Sequence, residues 1–285
     1  MISLDAATVL LQWAVGGLAF LWVTTRRREV GLGYGWLLRG TYGLMAAGAV
    51  WIGWGGDDTL VRDLAAVGVV VATTAALAVS IVRKDAGVEH QRAVAERRSA
   101  RVAAMTGIDR EERAKDTAGP EFPPILDLVA PAIGLIGLVA AGVAATGDDV
   151  VLSVVRVLAG AALMGAVSDA MLLGHWYLVQ PGLARGPLLE LVRWTGWVWP
   201  FHVAAFLWPT GMISVIDGTI DDGYGGLLSW FWIACVVTTI GLVFVTRAAL
   251  KERQYAAVMA ATGLLYLAIL TAFGQDLVAR ATLAP

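Results

Sequence analysis

Eight apolar segments, each about as long as the hydrocarbon core of a bilayer is thick, constrain this chain more than any other feature. They lie near Ala6–Thr24, Gly35–Trp54, Leu60–Val82, Pro124–Ala145, Val150–Val179, Leu188–Ile216, Gly226–Thr246 and Tyr255–Phe273. An α-helix needs about 20 residues to cross that core. Only 15% of the 285 residues are charged, whereas soluble proteins carry about 25%. The sequence predicts an all-α, polytopic helical bundle in a membrane, a single domain over residues 1–285 with about eight transmembrane helices.

The charges of the connecting loops predict the orientation. Of the 21 basic residues, 18 fall in one set of alternate loops, Arg62 and Arg280 fall on the other side, and Arg156 lies inside the fifth span. The second set of loops is acidic. Because basic loops stay cytoplasmic, both termini are expected outside. Residues 83–123 are expected to form a charged, largely helical cytoplasmic loop, either solvated or in contact with other subunits.

Several chemistries are excluded by residue usage. Cys235 is the only cysteine, so the chain holds no disulfide, no cysteine zinc site and no covalent haem motif. It contains no HExxH, P-loop or GxSxG pattern. Three lysines among the basic residues and no asparagine are typical of a GC-rich bacterial genome. The lipid bilayer of the cell membrane is the expected environment, and no nucleic-acid partner is expected.

The fifth span carries the first candidate for chemistry, Asp169. Ala161, Gly165 and Asp169 recur every four residues and share one helix face, where small residues let a neighbouring helix approach closely. Asp169 is therefore predicted to face the bundle interior beside a polar partner. Ionisable groups at membrane depth are functional-site hypotheses by default, so Asp169 is a candidate catalytic residue.

The hairpin formed by the fifth and sixth spans carries the other candidates. His175 and His202 are two of the chain's three histidines, and Pro200 is expected to kink the helix beside His202. The hypothesis is one shared cavity that opens toward the cytoplasmic half and is lined by both histidines. His202 is also a candidate catalytic residue, and the remaining candidate binding residues are Trp176, Trp197, Trp199, Glu190 and Arg193. The last two are three residues apart, which predicts an ion pair on one helix face.

Three functions remain open at this stage. The leading hypothesis is an electron-transfer-associated membrane subunit that binds a quinone or haem b between the fifth and sixth spans, with His175 and His202 as the metal ligands if haem is bound. The eight-span topology with both termini outside is similar to that of the quinol-oxidising membrane anchors of some iron–sulfur oxidoreductases. The alternatives are a proton-coupled transporter of a small solute, with Asp169 as the titrating group, and a non-catalytic assembly or scaffold subunit. In the simplest packing interpretation, His175 anchors at the membrane surface and His202 bonds a carbonyl that Pro200 leaves free.

Overall fold

The computed structural model describes residues 4–54, 59–84, 121–145, 149–180, 183–208, 211–252 and 254–284. Within these ranges the chain is helical and forms no strand. The helices are α1 (Ala6–Thr25), α2 (Leu32–Gly53), α3 (Leu60–Val82), α4 (Val129–Ala144, preceded by a 3-10 turn at Pro124–Leu128), α5 (Val150–Val179), α6 (Gly186–Leu207), α7 (Met212–Ile216), α8 (Leu227–Ala249) and α9 (Tyr255–Thr282). Most of the predicted 83–123 loop lies outside the described residues.

Six of these helices are long and apolar enough to cross a membrane. They are α1, α3, α4 with its preceding turn, α5, α8 and α9. Large apolar side chains also point away from the bundle, among them Leu44, Trp51, Val82 and Phe244, each more than 60% exposed. An outward surface this apolar is unfavourable in water and matches lipid. The described chain therefore has the architecture of a multi-pass membrane protein.

The predicted helix boundaries need two corrections. The expected continuous span Leu188–Ile216 is wrong, because α6 ends at Leu207 and α7 starts at Met212. Trp208 is extended (ψ 153°), as expected for the residue before a proline. The last helix continues beyond its predicted end at Phe273 and reaches Thr282.

The long helices pack as two groups of four. One group contains α1, α2, α3 and α4, and the other contains α5, α6, α8 and α9. The groups are joined mainly through the contact of α1 with α5. This contact is made by small residues. A Cβ atom on Gly16 would lie 1.9 Å from the carbonyl oxygen of Ala161, and one on Gly165 would lie 2.2 Å from the carbonyl carbon of Gly16. The close approach predicted for the face of Ala161 and Gly165 is confirmed.

Both chain ends lie at one end of the bundle, called here the terminal end. Near the start of α1, the Gln12 side chain accepts a hydrogen bond from Arg280, near the end of α9. The opposite end, called the loop end, carries the junctions of the 83–123 segment. There Arg83 Nη1 donates to the carbonyl oxygen of Glu121 at 2.9 Å. The alternation of the helices thus places the first and last described residues together, with Arg83 and Glu121 at the opposite end.

Candidate functional site

Asp169 is fully buried where α1, α2 and α5 meet. The Tyr42 hydroxyl donates to Asp169 Oδ1 at 2.5 Å, and the Tyr34 hydroxyl donates to the Asp169 backbone carbonyl at 3.2 Å. The other carboxyl oxygen, Oδ2, is buried and makes no hydrogen bond. The prediction that Asp169 faces the interior beside a polar partner is confirmed.

Asp169 lies about one third of the way along α5 from the loop end. It is ten residues from the end of the 30-residue helix α5, which corresponds to about 15 Å. The Tyr42 ring that reaches it packs on Gly17, in the middle of α1, where a Cβ atom would fall 2.0 Å from the ring. The preceding residue, Ser168, accepts a hydrogen bond from Trp13 Nε1 at 2.7 Å. Small residues on α1 thus make room for the aromatic partner of the carboxyl group.

A second buried group, called here the polar cluster, joins α1, α6 and α9 near the terminal end. Its members are Gln12, His202, Gln275, Asp276 and Arg280, none more than 3% exposed. Arg280 Nε donates to Asp276 Oδ2 at 2.7 Å, and Gln12 Nε2 donates to the same oxygen at 3.2 Å. The other oxygen, Oδ1, lies 3.2 Å from His202 Nε2. The carboxylate of Asp276 is therefore surrounded by donors on both oxygens.

Both ring nitrogens of His202 have a polar neighbour. Nε2 lies 3.2 Å from Asp276 Oδ1, and Nδ1 lies 3.4 Å from Gln275 Nε2. The carboxylate of Asp276 therefore has the Arg280 guanidinium at one oxygen and the His202 ring at the other.

The structure does not bring His175 and His202 together. His175 is exposed on α5, four residues before the helix ends, whereas His202 is buried sixteen residues after α6 begins. At 1.5 Å per residue they differ in height by roughly 18 Å. Both ring nitrogens of His202 are also engaged. These two histidines do not fit a bis-histidine haem site.

The predicted tryptophans also lie apart. Trp176 donates to the side chain of Gln180 at 3.1 Å, and Trp199 donates to the carbonyl oxygen of Val236 on α8 at 3.2 Å. Trp197 is 64% exposed on the outer face of α6. The three indoles therefore belong to separate packing environments.

The predicted ion pair between Glu190 and Arg193 is wrong. Glu190 pairs with Arg26 and Arg27, which follow the end of α1, and Arg193 is exposed. Two arginines at the end of α1 offer the carboxylate more positive charge than one arginine on its own helix. The pairing ties α6 to α1 at the loop end.

Another buried ion pair at the loop end was not predicted. Arg39 binds Asp127 through Nε at 2.8 Å and Nη2 at 2.9 Å, and the Thr25 hydroxyl donates to Asp127 at 2.8 Å. The Arg39 guanidinium also lies over the Phe122 ring, 4.5 Å from its centroid. This bidentate pair connects α1, α2 and the turn before α4.

The described residues contain no group of three or more His, Cys, Asp or Glu side chains that could hold a metal ion. Comparison with protein-family models, with curated proteins and with solved structures gave no match. The function is therefore argued from the geometry of this chain alone.

Proposed function

We propose that this protein is a membrane carrier that couples the movement of a small solute to proton binding and release at Asp169. The observation that carries the proposal is the enclosure of this carboxyl group. One oxygen bonds the Tyr42 hydroxyl and the other has no partner, and no cation pairs with it among the described residues. An unpaired carboxylate is costly in an apolar interior, so the carboxyl group is favoured with its proton bound.

The polar contacts along α1 support the same proposal. They follow one another from the terminal end to the loop end: Thr8 with Arg62, Gln12 with the polar cluster, Trp13 with Ser168, and Thr25 with Asp127. The Asp169–Tyr42 pair lies beside the middle of this series. Successive polar groups at membrane depth are the arrangement found in proton relays. Opening of the helices around α1 would connect Asp169 with water at either end.

The geometry supports proton coupling better than electron transfer. The quinone or haem hypothesis depended on a histidine pair between the fifth and sixth spans, and the two rings have separate surroundings. The scaffold hypothesis requires no exchangeable proton at Asp169. It therefore predicts that replacement of Asp169 by asparagine changes little.

Infrared difference spectroscopy tests the proposal. Spectra of the purified protein in mildly acidic and in alkaline buffer are expected to differ in the C=O stretching band of a protonated carboxyl group. The band should disappear in Asp169→Asn and persist in the matched control Asp217→Asn, since Asp217 is exposed. A band that Asp169→Asn leaves unchanged would contradict proton exchange at this residue.

Proteoliposomes that contain a pH-sensitive dye test the coupling. Mixtures of small solutes are added outside the vesicles. A mixture that contains the transported solute should change the internal pH. Asp169→Asn should abolish this pH change, and Asp217→Asn should not affect it. If the solute-driven pH change persisted in Asp169→Asn, coupling at this residue would be disproved.

The topology of this carrier is part of the proposal. We propose eight crossings, with α2 and α6 as the two more polar ones, and both termini outside. The protein would lie in the cell membrane of a bacterium with a GC-rich genome. Residues 83–123 would then lie in the cytoplasm, where other subunits could contact them.

A further inference from the structure

Arg156 is a fully buried arginine with an incomplete set of partners. It lies in the second turn of α5, and its Nε donates to the carbonyl oxygen of Ala205 at 3.0 Å. Both terminal nitrogens, Nη1 and Nη2, are buried without a hydrogen-bond partner. The guanidinium also lies 5.8 Å from the centre of the Phe206 ring. Arginine stays protonated in proteins, so a positive charge remains here with unused donors.

The neighbouring charges neutralise it only in part, through the attraction of Asp149. Asp276 and Arg280, on the other side of the Phe206 and His202 rings, are already paired with each other. Asp149 precedes α5 and uses one carboxyl oxygen to accept from the backbone amide of Leu152 at 3.0 Å. No ion pair joins it to Arg156 in the described part of the chain. A buried ion without a full set of partners is destabilising, which favours an anion supplied from outside the chain.

An apolar groove lies directly beside this arginine. It has a volume of about 360 Å³ and runs between α5 and α6, with walls formed by Val151, Leu152, Val155, Ala159, Phe201, Ala204, Ala205 and Trp208 and with Asp149 at its rim. Ala205 is both part of the wall and the acceptor for Arg156. Ala205 therefore separates the guanidinium from the groove, close to the end of α6 at Leu207.

The depth of Arg156 fits a lipid phosphate. Helix α5 has 30 residues and is about 45 Å long, whereas the hydrocarbon core is about 30 Å thick. About 7 Å therefore extends beyond the core at each end if α5 is centred. Arg156 is six residues from the start of α5, about 9 Å along its axis, and lies close to the level of the headgroups.

We infer that Arg156 and this groove form a binding site for an anionic phospholipid. One acyl chain would occupy the groove. The phosphate would accept from Nη1 and Nη2, as guanidinium and phosphate pair in a bidentate manner, once a rotation of the Arg156 side chain brings the guanidinium past Ala205 to the groove. Asp149 at the rim repels the anion, so the strength of the site rests on the buried guanidinium. This inference is independent of proton coupling at Asp169.

Native mass spectrometry tests the site. The purified protein is incubated with equal amounts of dioleoylphosphatidylglycerol and dioleoylphosphatidylcholine, and retained lipids are counted. We expect preferential retention of phosphatidylglycerol, reduced at least tenfold in Arg156→Gln. Ala204→Phe fills the groove without touching the guanidinium and should reduce retention similarly. Ala47→Phe, at an exposed alanine of α2, is the matched control and should retain the lipid.

The other outcomes would overturn the inference. Equal retention of phosphatidylcholine would show that no anion is selected. Undiminished phosphatidylglycerol in Arg156→Gln would remove the arginine from the site. If Arg156→Gln does not fold, undiminished retention in Ala204→Phe decides against the groove. Displacement of the lipid by an equal concentration of inorganic phosphate would identify a free anion as the ligand.

Discussion

Asp169 and Asp276 are both enclosed aspartates, and they differ in what stands beside them. Asp276 has Arg280, Gln12 and His202 around its two oxygens. Asp169 has the hydroxyl of Tyr42 and no cation among its described contacts. Paired charge stabilises the ionised form, whereas an apolar surrounding favours the neutral one. The same residue type is therefore suited to a structural role at 276 and to proton exchange at 169.

Removal of Arg280 tests the structural role. Arg280→Met leaves the carboxylate of Asp276 buried without its cation, and breaking a buried ion pair costs about 3–5 kcal/mol. We expect a much lower unfolding temperature in detergent. The control Arg247→Met removes an exposed charge of α8 and should change the free energy of unfolding by about 0.5 kcal/mol or less. Equal stabilities of the two variants would contradict the importance of the polar cluster.

Removal of the Tyr42 hydroxyl tests the partner of Asp169. Tyr42→Phe keeps the ring on Gly17 and leaves both carboxyl oxygens unpaired, which costs about 1–3 kcal/mol. Thermal unfolding should show this loss. Tyr224→Phe, at a tyrosine that is 68% exposed, should have no effect. An unchanged stability of Tyr42→Phe would mean that the hydrogen bond contributes little.

At the scale of whole helices, the contact between α1 and α5 decides how the two groups of four helices meet. Gly165→Leu would force side-chain atoms into the backbone of Gly16, since even a Cβ atom falls 2.2 Å from its carbonyl carbon. We expect loss of folded protein, measured by size-exclusion chromatography. Gly263→Ala is the control, because nothing lies within 4 Å of its Cβ position. That variant should be neutral or stabilised by up to about 1 kcal/mol. Normal folding of Gly165→Leu would contradict the close packing.

The start of α8 depends on one half-buried carboxylate, that of Asp222. Backbone amides of Gly226 and Tyr224 donate to Asp222 and hold the pKa of this group below its usual range. A lowered pKa means that the stabilisation is present above the ordinary value of about 3.9 and is lost as the pH falls through the lowered value. The amide of Leu228 also donates to Asp222, at 2.9 Å.

Hydrogen exchange measures this cap. Exchange at Leu228, corrected for the intrinsic rate, should stay slow at neutral pH and accelerate only in strong acid. Asp222→Ala should accelerate it already at neutral pH. The neighbouring Asp221→Ala should not, since Asp221 accepts only from the amide of Gly223. Slow exchange in Asp222→Ala would contradict capping by this residue.

Apolar patterning predicted most helices, because segments such as Leu60–Val82 and Val150–Val179 are uniformly apolar and their observed bounds match. It failed where tertiary contacts outweigh composition. Gln275, Asp276 and Arg280 made the end of α9 resemble a loop, although all three are buried against α1 and α6. Their partners on other helices lie more than 70 positions away in the sequence, beyond the range of any local pattern.

At the scale of the whole molecule, the proposed orientation rests on the loop charges. We expect an impermeant maleimide to label a single cysteine at Gly218 on intact cells, and not one at Ser99, in a Cys235→Ala background. The physical reason is that the arginine-rich loops remain in the cytoplasm. Permeabilised cells provide the control, since both positions should then react. Labelling of Ser99 alone on intact cells would invert the proposed topology.

The bond between Gln12 and Arg280 has a consequence for biogenesis. A ribosome synthesises α1 before α9, so the start of α1 must wait in the bilayer until α9 supplies its partners. During that interval Gln12 is an unsatisfied amide in an apolar surrounding. A chain that stops before α9 would keep this exposed defect, which is a signal that membrane quality-control proteases could recognise. Insertion of α9 would then satisfy Gln12 and remove this signal.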